Sequence, residues 1–269
     1  MESYIRQQYE QRPKRWIFQL VTVLIVITLL VWSGSMIELN GVKQNGIQVA
    51  KNILKGILQP DTKLLFNLTK TGVAYLLFET ICIAFLGTVV GAILAIPFSF
   101  LSASNIVPAP IAIIGRFIIM AVRTIPTFVY GLMFIRVTGP GPFTGLLTIS
   151  VSSIGMLSKM YIETLEDLDM RILESLDAAG LNMFQKIRYG ILPQLIPNFL
   201  SIAIYRFDMN LRDAAVLGLV GAGGIGAPLI FAMNSYRWNE VGAILTGLIL
   251  LVLIIEVFST KIRVKLTRG

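Results

Sequence analysis

The sequence contains no histidine and only one cysteine, Cys82, which lies within an apolar run. Disulfide frameworks, His/Cys metal sites and nucleophilic triads that depend on histidine are therefore excluded. A phosphate-binding loop of the form GxxxxGKS or GxxxxGKT is also missing, so the chain lacks that site for hydrolysing ATP. We expect no catalytic residue, no metal and no cofactor in this chain, and any use of ATP requires a partner.

Charged residues are also scarce. They make up 14% of the 269 residues, against 55% hydrophobic residues, whereas soluble domains carry about 25% charged residues. The net charge is +8, but the basic residues flank apolar segments instead of forming one face. This pattern is typical of membrane edges and argues against nucleic acid as a partner. The composition predicts a chain surrounded by membrane lipid.

Apolar runs predict about six transmembrane helices of roughly 20 residues each. They cover 16–37, 72–100, 110–134, a run that begins at Leu146 and ends near Lys159, 195–220 and 241–258. Trp16 and Trp32 bracket the apolar part of the first run, as anchors at the membrane interface do. Pro126 is expected to break the third run. The chain is therefore predicted to be an all-α polytopic membrane protein.

Lysine and arginine residues predict the orientation. They are concentrated in two tails, 1–15 and 261–269, which are therefore predicted to lie in the cytoplasm. Residues 38–71 have an amphipathic pattern with a turn at Pro60–Asp61 and are predicted to lie in the outer interface. The number of spans requires this placement, although the lysines of the segment disagree with it. Residues 72–260 form the predicted core.

The fifth run is unusual because polar residues interrupt its middle: Arg206, Asp208, Asn210, Arg212 and Asp213. Asp208 and Arg212 are spaced to pair along a helix, whereas the other three share another face. Since charge facing lipid is costly, these residues are expected to face protein or water. One interpretation makes them donors along a wet anion pathway; the other makes Asp208–Arg212 a structural pair beside an apolar pathway. The predicted pathway residues are Arg123, Arg206, Asn210 and Arg212.

Two further features lie within or beside the apolar runs. Glu79 is interpreted as an outer-interface residue, with a pathway or packing role as the alternative. The sequence GAGGIG, residues 221–226, fits GxGxxG, but it follows an apolar helix and no βαβ unit surrounds it, which argues against a dinucleotide site. It predicts a tight reversal or a close helix crossing. The predicted structural or gate residues are Asp208, Gly221, Gly223, Gly224 and Gly226.

Between the fourth and fifth runs lies a polar segment, ESLDAAGLNMFQKIRYGILP, residues 174–193. Its apolar positions recur at steps of three and four and predict one helical stripe that a partner covers: Leu173, Leu176, Gly180, Phe184 and Ile187. Gly180 is expected to sit inside that helix and to let another backbone approach. An ordinary amphipathic linker helix is the alternative.

Glu174, Gly180 and Leu192–Pro193 resemble the EAA loop of bacterial ABC-importer permeases. The match is partial, because Ser175 and Leu176 replace two alanines, and Gly190 stands where isoleucine is usual. The resemblance implies that this loop, within 161–193, is a cytoplasmic coupling helix that docks into an ATPase subunit. The implied docking residues are Glu174, Asp177, Ala178, Ala179, Gly180, Phe184, Leu192 and Pro193.

Other blocks are similar to the phosphonate-type permeases: GPGPF at 139–143, Lys159 with Glu163 and Glu166, YRFDMN at 205–210, Arg212 and VGAGGIG at 220–226. The resemblance implies the type I ABC importer permease fold in the bacterial inner membrane, as a homodimer with two ATPase copies and an external binding protein. It implies import of phosphonates, phosphite, phosphate esters or related oxyanions. The alternatives are an ABC importer permease for another small solute, such as an amino acid, a metal or phosphate, and an ion-coupled secondary transporter.

Overall fold

The computed structural model describes residues 15–36 and 46–268. The predictions made for residues 1–14, 37–45 and 269 lie outside the described residues. The described chain is helical and has no strand, which confirms the predicted all-α class. The helices are α1 (Arg15–Ser35), α2 (Gly46–Leu58), α3 (Thr62–Leu65), α4 (Val73–Ser102), α5 (Ala109–Thr124), α6 (Thr127–Thr138), α7 (Pro142–Glu166), α8 (Met170–Ala178), α9 (Met183–Gln185), α10 (Leu192–Gly218), α11 (Gly226–Asn234) and α12 (Trp238–Arg268).

The chain divides into two units, one up to Lys51 and one from Asn52 onward. The first unit contains α1, whose residues 16–35 are all exposed, as suits an apolar helix surrounded by lipid. The predicted turn at Pro60–Asp61 is present, because Asp61 caps α3 by accepting hydrogen bonds from the N–H groups of Lys63 and Leu64.

Among the described residues, four helices are long and apolar enough to cross a membrane: α1, α4, α7 and α12. The predicted third span consists of α5 and α6, which meet at 82° and make a fifth span if they are taken together. The bend follows from Pro126, since Ile125 before it is extended and ends α5. The predicted fifth span is the 27-residue helix α10, whose four charged residues set it apart from the apolar spans.

The second unit is held together by close contact between α4 and α7. A Cβ on Gly87 would lie 2.7 Å from Ile149 Cγ2, and one on Gly91 would lie 2.6 Å from the Cβ of Ser153. Such small residues let two helix backbones approach closely inside a membrane. Helix α7 also continues without a break past Lys159 to Glu166, where it approaches the polar segment.

The glycine loop, Gly221–Gly226, joins α10 to α11 and ties the two helices to the start of α4. Gly221, Gly223 and Gly224 have φ values of 92°, 82° and 71°, so the loop makes the predicted tight reversal. The N–H of Gly224 donates to the Glu79 carboxylate at 2.8 Å. This hydrogen bond supports the packing alternative for Glu79, and its position at the outer interface stays a prediction. The carboxylate accepts a loop N–H that helix bonding leaves free.

Gly224→Ala should destabilise the protein more than Gly180→Ala. The two glycines have similar φ values, 71° and 73°, but a Cβ on Gly224 would lie 2.6 Å from Thr80 Oγ1, whereas Gly180 has nothing within 4 Å. Both variants bear the strain of a left-handed backbone, and only Gly224→Ala adds an overlap, worth about 1–3 kcal/mol. Thermal unfolding of the purified protein measures the difference. Equal losses in both variants would contradict the packing assigned to the loop.

Candidate coupling segment and polar track

The polar segment consists of two helices separated by a turn. Helix α8 ends at Ala178, and α9 begins at Met183. A π-helical stretch, Lys186–Ile191, follows α9 and leads directly into α10. The prediction of one continuous stripe with Gly180 inside the helix is therefore wrong. We call residues 170–193 the coupling segment.

Gly180 ends α8 in a Schellman motif. Its N–H donates to the Asp177 carbonyl at 2.9 Å, and the N–H of Leu181 donates to the Leu176 carbonyl at 3.2 Å. This motif requires a left-handed residue after the helix, and glycine adopts that conformation without a Cβ clash. Backbone geometry at the turn therefore explains the glycine. Apart from its chain neighbours, no atom of the described residues lies within 4 Å of the position that a Cβ on Gly180 would take.

The second helix begins with a capping box. The N–H of Asn182 donates to Gln185 Oε1 at 3.0 Å, and the N–H of Gln185 donates to Asn182 Oδ1 at 2.9 Å. Lys186, whose side chain is mostly buried, forms an ion pair with Asp177 of α8 and so braces the two helices. The spacing of Asn182 and Gln185 is a helix-start signal in the sequence, and it marks the boundary that the apolar periodicity missed.

Leu176 and Gly190 fit together across the turn. A Cβ on Gly190 would lie 2.2 Å from Leu176 Cδ1, so the leucine occupies the space that a larger residue at 190 would fill. Both residues depart from the EAA pattern, with a leucine for an alanine and a glycine for an isoleucine. The structure shows that the two departures compensate each other in volume.

The residues expected to dock a partner lie mostly at the surface. Glu174, Asp177, Ala178, Ala179, Gly180, Phe184 and Pro193 are exposed, and Leu192 is half-buried. Phe184 is 71% exposed, although it is aromatic and belongs to the predicted stripe. The coupling segment thus presents a surface that a partner can reach, and docking itself stays a prediction.

Charged contacts fix the entrance to the coupling segment. The Glu166 carboxylate, at the end of α7, accepts a hydrogen bond from the N–H of Ser104 at 2.8 Å and pairs with the Arg116 guanidinium. Asp169 then caps α8, and hydrogen bonds from the Arg171 side chain and backbone hold the pKa of Asp169 below its usual value. A shift of the segment would therefore be felt by the loop between α4 and α5.

The polar residues of α10 lie on two faces of the helix, with Arg206, Asn210 and Asp213 on one face and Asp208 and Arg212 on the other. Arg206 is only 5% exposed; its guanidinium donates to Ser152 Oγ of α7 and pairs with Asp213, each at 3.4 Å. On a different side, Arg212 pairs with Asp208 at 3.1 Å and with Glu256 of α12 at 3.5 Å. The predicted i,i+4 pair is therefore present, and the two arginines of α10 do not share a site.

Asn210 lies on the same side of α10 as Arg206, about one turn further along, and is fully buried. Its amide donates to Thr88 Oγ1 of α4 at 2.8 Å and to Ser153 Oγ of α7 at 2.7 Å. Both amide hydrogens are used to lock three helices together. A contact between Asn210 and substrate stays a prediction, and in this structure the amide has no hydrogen left to donate.

Arg123 lies on α5 against α7, where a Cβ on Gly155 would lie 2.8 Å from Arg123 Cγ. Gly155 follows Ser152 by three residues on α7, so Arg123 and Arg206 approach the same helix about one turn apart. Arg123, Arg206 and Asn210 therefore all contact α7, whereas Arg212 pairs with Asp208 and Glu256. In the described part of the chain, no cluster of three or more acidic or cysteine side chains could hold a metal ion.

Gly190→Ile should loosen the coupling segment, because the new side chain displaces Leu176. We expect trypsin to cleave after the exposed Arg188 about ten times faster, and Leu176→Ala in the same chain to restore most of the protection. Leu176→Ala alone is the matched control and should have a smaller effect. Unchanged cleavage in Gly190→Ile, or a double variant as labile as the single one, would contradict the compensating pair.

The chain is similar in sequence to known transport proteins. The chain is 29% identical to the phosphite transport system permease protein PtxC of Stutzerimonas stutzeri over 250 residues. The aligned region covers 93% of this chain and 89% of that protein. It is 32% identical to the phosphate-import permease protein PhnE of Mycolicibacterium smegmatis over 192 residues, which are 71% of this chain and 36% of that protein.

Solved structures give the same fold. A chain of the MetNI methionine ABC transporter in an inward-facing conformation superimposes with a TM-score of 0.63 at 20% identity, over 72% of this chain and 95% of that chain. A chain of an amino acid ABC transporter superimposes with a TM-score of 0.54 at 17% identity, over 82% and 94%. The predicted type I importer permease fold is confirmed. Residues 87–263 match the model of one family, and the chain belongs to it: the binding-protein-dependent transport system inner membrane components.

Proposed function

We propose that this protein is the permease subunit of an ATP-driven importer of phosphorus oxyanions such as phosphite, phosphonates or phosphate. The observation that carries the proposal is Arg206, a buried guanidinium at the middle of a membrane helix with incomplete bonding. The names of the two sequence relatives support the same class of solute.

The bonding of Arg206 suits an anion. Its ion pair with Asp213 is 3.4 Å long, well beyond the usual 2.7–2.9 Å of a charge-assisted hydrogen bond, so the pair is loose. Its Nε is buried without a hydrogen-bond partner among the described residues. A buried donor left without an acceptor is costly, and an oxyanion reaching it would supply the missing acceptor. The arginine fork matches the geometry of phosphorus oxygens.

Transport requires partners, because this chain has no ATPase site of its own. We propose two ATPase copies, a second copy of the permease and an external binding protein that delivers the substrate. Both termini, and with them the coupling segment, lie in the cytoplasm in this proposal. The α2–α3 segment lies at the outer interface.

The fold supplies a mechanical link between these parts. The Asp177–Lys186 pair and the Leu176–Gly190 contact join the two helices of the coupling segment. The second helix continues through the π-helical stretch into α10, which carries Arg206. In the proposed mechanism, closure of the ATPases moves the segment and the spans rock between inward-open and outward-open states. The same displacement reaches the arginine.

Import of an amino acid is the second candidate. Asp213 is only half-buried beside Arg206, so α10 offers a carboxylate for an ammonium group as well as a guanidinium for an anion. Measuring which solute the external binding protein binds separates the two candidates. Tight binding of a phosphorus oxyanion favours the first, and tight binding of an amino acid overturns it.

Phe184→Ala should weaken the association with the ATPase. The side chain is 71% exposed, so its loss costs this chain little core packing, whereas an aromatic anchor buried in a partner is typically worth tenfold or more in affinity. Co-purification from membranes and ATPase activity measure the effect. Phe66→Ala is the control, because Phe66 is 77% exposed and lies outside the segment. Full association of Phe184→Ala would refute the docking surface.

Arg206→Gln should lower uptake at least about tenfold with the amount of protein in the membrane unchanged, because one charged donor to the anion is lost. Arg212→Gln should slow uptake less, because Arg212 lies on the other face of α10 and pairs with Asp208 and Glu256. Labelled phosphite uptake and membrane protein levels are measured together. Normal uptake by Arg206→Gln would remove the arginine from the pathway.

A further inference from the structure

We propose that the cavity between α5 and α7 is a second, weak oxyanion site, which receives the substrate after Arg206 and releases it beside the coupling segment. The proposal rests on the proposed function. The cavity has a volume of about 290 Å³. Its charged lining residues are Arg116, Arg123, Lys159, Glu163 and Glu166.

Position on α7 connects this cavity to Arg206. Ser152, Lys159, Glu163 and Glu166 are separated by seven, four and three residues, so they lie along one face of the helix. Ser152 accepts a hydrogen bond from Arg206 and contacts the Thr127 hydroxyl of α6 at 2.8 Å. Lys159 lies about 10 Å further along the helix axis. The face therefore carries polar groups from the level of Arg206 to the end of the helix.

Arg123 provides a donor for the substrate at Gly155, between the levels of Ser152 and Lys159 on α7. Because Gly155 has no Cβ, the Arg123 side chain lies directly against α7 between Ser152 and Lys159. An oxyanion that leaves Arg206 meets Arg123 about one helical turn later and Lys159 about one turn after that. The levels on α7 at Ser152, Gly155 and Lys159 are separated by about 5 and 6 Å along the helix axis.

The charge balance of the cavity favours an anion. Arg116 pairs with Glu166, and Lys159 pairs with Glu163 at 3.3 Å. Arg123 has no acidic group within ion-pair distance among the described residues, so one positive charge is left over. The Lys159–Glu163 pair is half-exposed, and such pairs are weak enough for the lysine to turn to a passing anion.

The size and the acids of the cavity keep the binding weak. Its volume is roughly that of ten water molecules in the liquid, so a small phosphorus oxyanion enters with part of its hydration shell. Glu163 and Glu166 also repel the ligand. A release site must be weak, because tight binding at any point in the pathway would stop transport.

Inhibition of uptake by anion inside the vesicle tests the site. The permease is reconstituted with its ATPase and binding protein in liposomes that contain ATP, and labelled phosphite uptake is measured with increasing inorganic phosphate inside. Phosphate should slow uptake by the wild type by occupying the release site. In Arg123→Gln, the phosphate concentration for half-inhibition should rise about tenfold. In Glu163→Gln it should fall, because a repelling charge is removed.

Arg237→Gln is the matched control. Arg237 forms a half-exposed pair with Glu240 at 3.2 Å beside the start of α12, far along the chain from the cavity residues, and its removal should leave the inhibition curve unchanged. Arg123→Lys keeps the charge, so internal phosphate should inhibit its uptake nearly as strongly as that of the wild type. Wild-type half-inhibition in both Arg123→Gln and Glu163→Gln would overturn the second site.

A direct binding measurement separates this proposal from the proposed function. Inorganic phosphate should raise the unfolding temperature of the wild-type complex and should raise that of Arg123→Gln less. If the wild-type complex imports no phosphorus oxyanion but shows this difference, the proposed function fails and the site stands. If uptake is normal and the two complexes respond alike to phosphate, the site fails and the function stands.

Discussion

The close approach of α7 to its neighbours is the constraint on which the remaining structure depends. Glycines 87, 91 and 155 remove the side chains that would hold α4 and α5 away from it. Within a membrane, association of helices relies on such contact, since lipid is as apolar as the helices themselves. The contact also places Ser152 and Ser153 where the polar residues of α10 need partners. Close packing and the solvation of buried polar groups are thus achieved by the same surface.

Helix α10 shows how one membrane helix carries charge for several purposes. Both amide hydrogens of Asn210 form hydrogen bonds to neighbouring helices, and Arg212 pairs with both Asp208 and Glu256. Arg206 is the more buried of the two arginines, and its Nε is a buried donor without a partner among the described residues. Polar groups within a membrane are expensive, so a buried cationic donor without an acceptor is a candidate for contact with an anionic solute.

The coupling segment is a two-helix unit held together by local contacts. A Schellman turn, a capping box, one ion pair and the Leu176–Gly190 contact all lie within about twenty residues of a helix end that leads into α10. In the proposed mechanism, these contacts would pass a displacement of the segment to α10. The segment's departure from the EAA pattern at two positions keeps the packed volume because the departures lie opposite each other.

The sequence by itself determined the helical class, the apolar spans, the break at Pro126, the Asp208–Arg212 pair and the tight reversal at Gly221–Gly226. These features depend on hydrophobicity, on helical spacing and on the backbone limits of proline and glycine, which act over a few neighbouring residues. Only the tertiary structure decided that Glu79 binds the glycine loop and that Arg206 and Arg123 both contact α7. Those outcomes depend on which helices touch, and contacts between residues distant in sequence leave no mark in local periodicity.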